Sequence, residues 1–579
     1  MTPIRRLLYY FALFKKPLIL GGLCVVASAV FSLMKPLIIG NGVNQLATAA
    51  NRTTLVRYGV LLLVAAAFEG LFLYLQRWII IGTSRKIEYV MRNDFYAHLQ
   101  QLPLKYYYEQ RTGDLMSRAT NDLSSVRMLI GPATMHSLSS LLVVTGAFIM
   151  MMRIDRPMAL TSLVAVPIVA GLVKFFGQRI HDLFKDVQDY FGDISARVQE
   201  NLAGVRVVRA FTQEKNEIEN FKRMNRIYVD KNRSVIKLSA TFYPALHGLI
   251  GVMFVIIFFM GSRRIITGQL SIGAFVAFQF YLGRMIWPLI ALGWVINLFQ
   301  RGMASMLRLH EVWSVQPDVL PGEGTPVEGP VRGDIDVRHL TFSYDGRPVL
   351  RDISLSVRHG QTIGIVGRTG SGKSTLLSLI ARTFEPPPGT IFIDGQPVDA
   401  IPMRQLRDWI GMVPQESFLF SESLSENIRF GRADATDAHI AEAADLAGLT
   451  GDVSSFPQGL KTMIGERGIT LSGGQKQRTA IARALVREPI ILMLDDSLSA
   501  VDTQTEERIL RSLREVRKGR TVLIVSHRVS SVKDADHIVV LEEGAIVERG
   551  THESLIEKGG YYADLYHRQT IEAELEEIA

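Results

Sequence analysis

Six apolar runs in the first 300 residues, at about 17–39, 56–80, 131–152, 157–177, 241–262 and 272–298, constrain this chain more than any other feature. Each is long enough to cross the hydrocarbon core of a bilayer as a helix, which takes about 20 residues. The third and fourth are joined only by Arg153-Ile154-Asp155-Arg156 and predict a tight helical hairpin. The second and third are separated by about fifty polar, helix-forming residues, and so are the fourth and fifth. Apart from Thr112-Gly113-Asp114 these intervals lack turn clusters, so the helices are expected to continue past the membrane into one aqueous compartment before turning back.

Charge orients the spans. The net charge is +8. A nucleic-acid binder would gather such a charge into one basic stripe. Here much of it flanks apolar segments, as in Arg5-Arg6, Lys15-Lys16 and Arg263-Arg264, which is how membrane topology is encoded. The N-terminus and both long excursions are rich in Arg and Lys and are read as cytoplasmic, with the short loops near 40–54, 153–156 and 263–270 outside. The first apolar run is too long for a signal peptide, and no small-residue cleavage pattern follows it. Cys24 is the single cysteine, so an intrachain disulfide and a cysteine-based zinc cluster are excluded.

Charged and polar residues interrupt the spans: Glu69, Lys174, His247 and Arg284. A charge at membrane depth costs roughly 2.5–3.5 kcal/mol on insertion scales, so it faces a bundle interior or a water-filled cavity. Lys174, near its helix end, reads as snorkelling. Glu69 and Arg284 fit either a substrate cavity or an interhelical ion pair.

From Gln316 to Arg332 the chain is rich in Pro and Gly and reads as a linker between a membrane domain, 1–315, and a soluble domain, 333–579. Strand patterns such as Ile335–Val337 and Ile363–Val366 alternate there with helical stretches, so an α/β domain is expected. The run Gly367-Arg368-Thr369-Gly370-Ser371-Gly372-Lys373-Ser374-Thr375 follows the strand Thr362–Val366 and precedes the helical Leu376–Ile380. This strand–loop–helix context makes it a specific match to the phosphate-binding P-loop. Its glycines let backbone N–H groups close on phosphate oxygens, and the helix N-terminus adds positive potential. Lys373 is expected on the β- and γ-phosphates of ATP, and Ser374 on Mg²⁺. The buried run Ile490–Leu494 ends in Asp495, placed about 120 residues after the P-loop to hold Mg²⁺ through water. Leu471-Ser472-Gly473-Gly474-Gln475 opens a helix and makes a second anion site. One domain has no obvious use for two such sites; two domains arranged head to tail do.

In these motifs the chain resembles an ATP-binding cassette exporter half-transporter over essentially its full length: a helical six-span transmembrane domain with long cytoplasmic extensions, followed by an α/β P-loop nucleotide-binding domain. The resemblance makes Leu471–Gln475 the signature that caps the ATP on a partner's P-loop. It makes Tyr344 the aromatic that stacks on adenine and Gln415 the glutamine that senses Mg²⁺. His527 becomes the switch histidine, and Ser499-Ala500-Val501-Asp502 the loop linking the two nucleotide sites, with Val where Leu is commoner. Gly465–Gly468 is similar to the exporter segment that touches the coupling helices. Gly113–Arg118 and Gly204–Phe211 resemble the family's patterns in the two excursions.

The departure is Asp496. The family's hydrolytic base at that place is glutamate, and aspartate is one methylene shorter. A base must come within about 2.6–3.2 Å of the water it activates. A withdrawal of about 1 Å can cost on the order of 10²-fold in rate. The expectation is a site that binds ATP and hydrolyses it poorly, as in the degenerate-site half of a heterodimer; a slow homodimer is the alternative. Partners implied are a second half-transporter, membrane lipid and a hydrophobic substrate, with no nucleic acid, in a multi-pass protein of the cytoplasmic membrane. Drug-like compounds and lipids both fit aromatic- and methionine-rich spans. An ATP-gated channel or regulatory subunit remains a second class, whereas a soluble cassette ATPase fails on the six spans. The short segment before the first span argues against a peptide-processing exporter.

Overall fold

The computed structural model describes residues 2–48, 51–317, 324–344, 346–465, 468, 470–497, 506, 509, 511 and 519–578. Ser499 and Asp502 of the expected linking loop lie outside the described residues. So do Glu466, Arg467 and the side chain of Lys174. Two compact units emerge: Met1–Leu99 with Thr112–Val315, and Gln100–Arg111 with Gln316–Ala579.

The first unit is helical throughout. Its long helices are α1 (Lys15–Thr48), α2 (Arg52–Leu99), α3 (Thr134–Ile154), α4 (Arg156–Ala203), α5 (Glu214–Ile266) and α6 (Ile272–Ser314). Helices satisfy their own backbone groups, which is what lipid demands. Among the described residues, five stretches are long and apolar enough to cross a membrane, in α1, α2, Thr112–Ile154, α5 and α6. The fourth expected span, 157–177, falls on α4, where the described apolar stretch, Arg156–Val169, is shorter than a span. Extension beyond the spans is as expected: α2 and α4 each run for 48 residues and α5 for 53. The hairpin between α3 and α4 is tighter than a loop. Asp155 is its single connecting residue and caps α4 by accepting from the Met158 N–H at 2.9 Å.

The return from the first excursion is not one regular helix. Two π turns, Arg118–Asp122 and Leu129–Ala133, interrupt it, and Pro132 in the second cannot donate to the ladder. The first π turn carries buried Asp122, whose carboxylate accepts from Ser305 Oγ at 2.8 Å and from the Arg308 guanidinium on α6. Near the other end of the bundle, α1 and α6 touch backbone to backbone. A Cβ on Gly273 would lie 1.9 Å from the Gly40 carbonyl oxygen, so only glycine fits. Asn44 of α1 locks that contact, accepting from the Gly273 N–H at 2.7 Å.

In the second unit an antiparallel sheet has the order β2-β1-β4-β5, from β1 (Ile335–Tyr344), β2 (Arg347–Val357), β4 (Ile391–Ile393) and β5 (Gln396–Pro397). A six-stranded sheet has the order β10-β9-β3-β8-β7-β6, from β3 (Thr362–Gly367), β6 (Ile410–Val413), β7 (Ile491–Asp495), β8 (Thr521–Val525), β9 (His537–Glu542) and β10 (Ala545–Gly550). Its strands β6, β7, β8, β3 and β9 are parallel; β10 is antiparallel. Both faces are covered, as parallel sheets require. Leu492, Leu494, Val522, Ile524, Ile538 and Val540 pack into one core. Their alternating neighbours Ile491, Met493, Leu523, Val525, Val539 and Leu541 pack into the other. Strand register therefore aligns the C-terminal ends of β3, β7 and β8, Asp495 standing opposite Val525. That edge is where an α/β sheet places its ligand.

Candidate functional site: a phosphate-binding edge

The loop after β3 rises over three positive-φ glycines, Gly367, Gly370 and Gly372, into α7 (Lys373–Ile380). A Cβ on Gly367 would meet the Leu541 carbonyl oxygen at 2.1 Å. Glycine is therefore dictated by both conformation and space. The loop opens a pocket of about 190 Å³ lined by Val349, Thr369, Gly370, Gly372, Lys373, Ser374, Thr375, Gln415, Asp495, Asp496, Val525 and His527. Elements far apart in sequence thus bring Lys373, Ser374, Gln415, Asp495, Asp496 and His527 to one cavity.

Lys373 folds back on its own loop, donating to the carbonyls of Gly367 (2.9 Å) and Arg368 (2.8 Å). Burial pushes its pKa below the ordinary lysine value, while Asp495 and Asp496 act against that shift. Ser374 Oγ donates to Asp495 Oδ1 at 3.0 Å. Burial raises the Asp495 pKa, and the Ser374 hydrogen bond partly offsets the rise. A hydroxyl, a carboxylate and the nearby Gln415 amide form a hard oxygen donor set. It suits Mg²⁺, which takes one or two protein oxygens and keeps water and phosphate for the rest. Asp496 is buried, with φ at 44°, and its N–H bonds the Val525 carbonyl at 2.9 Å.

A second, more open cavity of about 550 Å³ shares Ser374 and Thr375 with the first and is lined also by Tyr108, Phe342, Tyr344 and Phe384. Tyr344 meets Phe384 edge-on at 5.2 Å, and Tyr108 stacks on Phe384 at 6.3 Å. Ser374 and Thr375 thus stand between a cavity lined by the P-loop and one lined by aromatic rings, the two chemistries that phosphate and base require.

The glycine-rich Leu471–Gln475 is not part of either cavity. Ser472 caps α8 (Gly473–Leu485) in a capping box: its Oγ accepts from the Gln475 N–H, and Gln475 Oε1 accepts from the Ser472 N–H at 3.0 Å. Gln475 and Arg478 are both held by Asp452, at 3.0 and 2.6 Å. Ser472 and Gly473 are exposed. Glu69 and Arg284 lie in the helical unit, paired at 3.2 Å, so the interhelical ion pair is the arrangement seen.

Three contributors escaped sequence reading. Val349 and Val525 line the pocket without any polar signature. Gln569, on α9 (Tyr561–Ile578), donates to the His527 carbonyl at 2.7 Å and accepts from the Val529 N–H at 2.8 Å. The neighbouring Arg528 and Ser530 bond buried Glu506 at 2.7 and 3.0 Å.

Helices long enough to span a membrane, followed by a P-loop cassette with a separate capped glycine signature, define an ATP-binding cassette transporter. Residues 18–289 match the ABC transporter transmembrane region and residues 350–499 match the ABC transporter family. The chain is 38% identical to the probable multidrug resistance ABC transporter ATP-binding/permease protein YheI of Bacillus subtilis, with 94% of each chain covered. It is 36% identical to the multidrug resistance-like ATP-binding protein MdlA of Escherichia coli, covering 96% of this chain and 94% of that one. Among solved structures it is similar to a bacterial Atm1-family ABC exporter with ATP bound, at 26% identity and a TM-score of 0.79, covering 96% of this chain and 99% of that one. The chain belongs to the ABC transporter family, with its membrane region and its ATP-hydrolysing domain fused as in a half-transporter.

Proposed function

We propose that this chain is one half of a dimeric exporter that moves hydrophobic small molecules outward across the cytoplasmic membrane, and that its own ATP site binds nucleotide firmly and turns it over slowly. The multidrug names of its relatives support the substrate class. In this reading Tyr344 stacks on adenine. Gly367, Arg368, Thr369, Gly370, Ser371, Gly372 and Thr375 offer the loop and helix N–H groups to phosphate. Lys373 leaves its two carbonyl partners to meet the β- and γ-phosphates. Ser374, Gln415 and Asp495 hold Mg²⁺, which neutralises phosphate charge when bound. His527 meets the γ-phosphate. Leu471–Gln475 serves a partner's ATP, which accounts for an exposed, pre-capped helix N-terminus away from its own P-loop. Ser499 and Asp502 join the two sites. Nucleotide closure of two such cassettes opens the membrane domain outward, and hydrolysis resets it.

The observation that carries the reading is Asp496. It lies in the same pocket as Lys373, Asp495 and His527, at the place where a base would activate water, with a carboxylate about one carbon–carbon bond short. A second half-transporter supplying glutamate would restore one fast site, and this chain's intact signature would cap it. His527 in the pocket favours a slow homodimer as the second reading.

The test is ATPase activity of the purified chain alone, of the chain with its partner half, and of Asp496→Glu. The expected order is a low rate alone, a high rate with the partner, and a rise of at least tenfold on Asp496→Glu. Robust turnover by the chain alone, or no gain from Asp496→Glu in a protein that still melts normally, overturns the degenerate-site reading.

A further inference from the structure

Three membrane helices converge on one carboxylate. Glu69 of α2 is ion-paired with Lys35 of α1 and with Arg284 of α6, the latter at 3.2 Å; Arg284 also donates to Ser32 Oγ at 2.7 Å. Lys35 and Glu69 are 19% and 11% exposed in their side chains, and Arg284 is 36% exposed. Among the described residues Glu69 is the one acidic group within 4 Å of either cation, so the cluster carries one positive charge beyond balance. All three fall within the apolar runs 17–39, 56–80 and 272–298, each long enough to cross a hydrocarbon layer about 30 Å thick. An unbalanced cation at that depth marks a ligand pathway more often than a structural joint. Beside the cluster stand aromatic rings from the neighbouring positions. Phe31 stacks on Phe68 (5.1 Å, 13° between planes) and on Phe72 (5.9 Å, 11°). Phe68 is 44% exposed.

We propose that Lys35, Glu69 and Arg284, with Phe31 and Phe68, form a binding site for amphiphilic organic anions: a single carboxylate, sulfonate or phosphate on an aromatic or alkyl body. This deepens the export reading above and rests on it only where transport is concerned. A rigid planar guanidinium already tied to Glu69 and Ser32 keeps N–H donors in a fixed fork. An arriving anion completes the balance without rearranging the pair, and the apolar body lies against the exposed ring. A lone cation or a neutral compound gains nothing from the excess charge, and a cation is repelled by it.

The full-length transporter, assembled with whatever partner gives ATPase activity, is reconstituted in phosphatidylcholine vesicles and nanodiscs. The probes are 8-anilinonaphthalene-1-sulfonate and N-phenyl-1-naphthylamine, one ring scaffold with and without the anion. Equilibrium binding without nucleotide reads the site independently of transport. Expected is saturable sulfonate binding weakened at least tenfold more than amine binding by Arg284→Gln, and only partly restored by Arg284→Lys, which keeps the charge and loses the fork. Lys35→Gln gives a second reading if Arg284→Gln does not fold. Equal binding of both dyes in wild type, or an equal loss of both in the variants, overturns the site and leaves Lys35–Glu69–Arg284 as a structural joint. Phosphatidylglycerol that displaces the sulfonate assigns the site to a lipid headgroup; no displacement assigns it to a free amphiphile. In inside-out vesicles the sulfonate is expected to accumulate with ATP. Failure of any dye, including ethidium, to move with ATP defeats the export reading alone, because the binding result stands or falls by itself.

Discussion

Asp496 holds its backbone at φ 44°, a conformation that aspartate tolerates better than glutamate because its short carboxylate can bond locally. Asp496→Glu therefore has a small backbone cost to set against the gain in reach. Its neighbour Asp495 sets the pH response. Burial raises the Asp495 pKa, so on acidification the proton takes the carboxylate before ordinary aspartates titrate. Proton and Mg²⁺ compete for the same oxygens, so metal-supported ATP affinity falls as pH drops through that raised value. Lys373 behaves oppositely. Its pKa is lowered, so on alkalinisation it loses its charge, and its pull on phosphate, earlier than an ordinary lysine. Titrating ATP affinity with and without Mg²⁺ checks the signs. The acid limb is expected only with Mg²⁺, the alkaline limb in both. Ser374→Ala removes both the donor that offsets the shift and a proposed Mg²⁺ ligand, so it is expected to shrink the Mg²⁺-dependent part of the affinity across the whole pH range. An acid limb that persists unchanged without Mg²⁺ excludes Asp495 as its source.

At the scale of elements, the β3–loop–α7 unit and the end of β7 were legible because local sequence alone determines them: a buried strand, positive-φ glycines, an apolar run ending in Asp. The long helices were legible from hydropathy. The Gly40–Gly273 contact was not, since it joins positions 233 apart that look like ordinary glycines in apolar runs. The π turns were hidden for a similar reason: Pro132 breaks the ladder, but only packing decides that the break widens a turn and does not end the helix. The same applies to Gln569. A glutamine on a C-terminal helix has no signal of its own, yet it clamps the His527–Val529 segment through main-chain atoms. We expect Gln569→Ala to lower kcat about tenfold, two hydrogen bonds being worth roughly 0.5–1.5 kcal/mol each, with ATP affinity nearly kept. The measurement belongs in the Asp496→Glu background, where this site is expected to turn over. Gln569→Glu still accepts from Val529 N–H but cannot donate to the His527 carbonyl, and should be at least as slow. A drop in affinity equal to the drop in kcat would mean that α9 merely supports the domain.

On the scale of the whole molecule, the chain keeps its glycine-rich Leu471–Gln475 apart from the pocket that holds Lys373, Asp495 and Asp496. Ser472 and Gly473 are exposed on a helix end already organised by its capping box and by Asp452. Lys373, Asp495 and Asp496 are turned inward to a pocket of their own. If each ATP lies between one chain's P-loop and the other's signature, the two halves of this chain serve different sites. Damage to them should then be unequal. Gly473→Asp puts a carboxylate on the exposed helix N-terminus that would face the partner's phosphates, and like charges at that range exclude the nucleotide. It is expected to lower ATPase and transport by the paired transporter at least a hundredfold. Lys373→Ala empties only the slow site, and should leave at least a third of the turnover while abolishing nucleotide retention in this chain. The two variants, assayed with the same wild-type partner and followed by photolabelling with an azido-ATP, separate the arrangements. In a symmetric homodimer Lys373→Ala removes the only kind of site there is, and turnover disappears with it. Unequal effects in the expected direction require two sites of different kinds, with Asp496 on the side that waits.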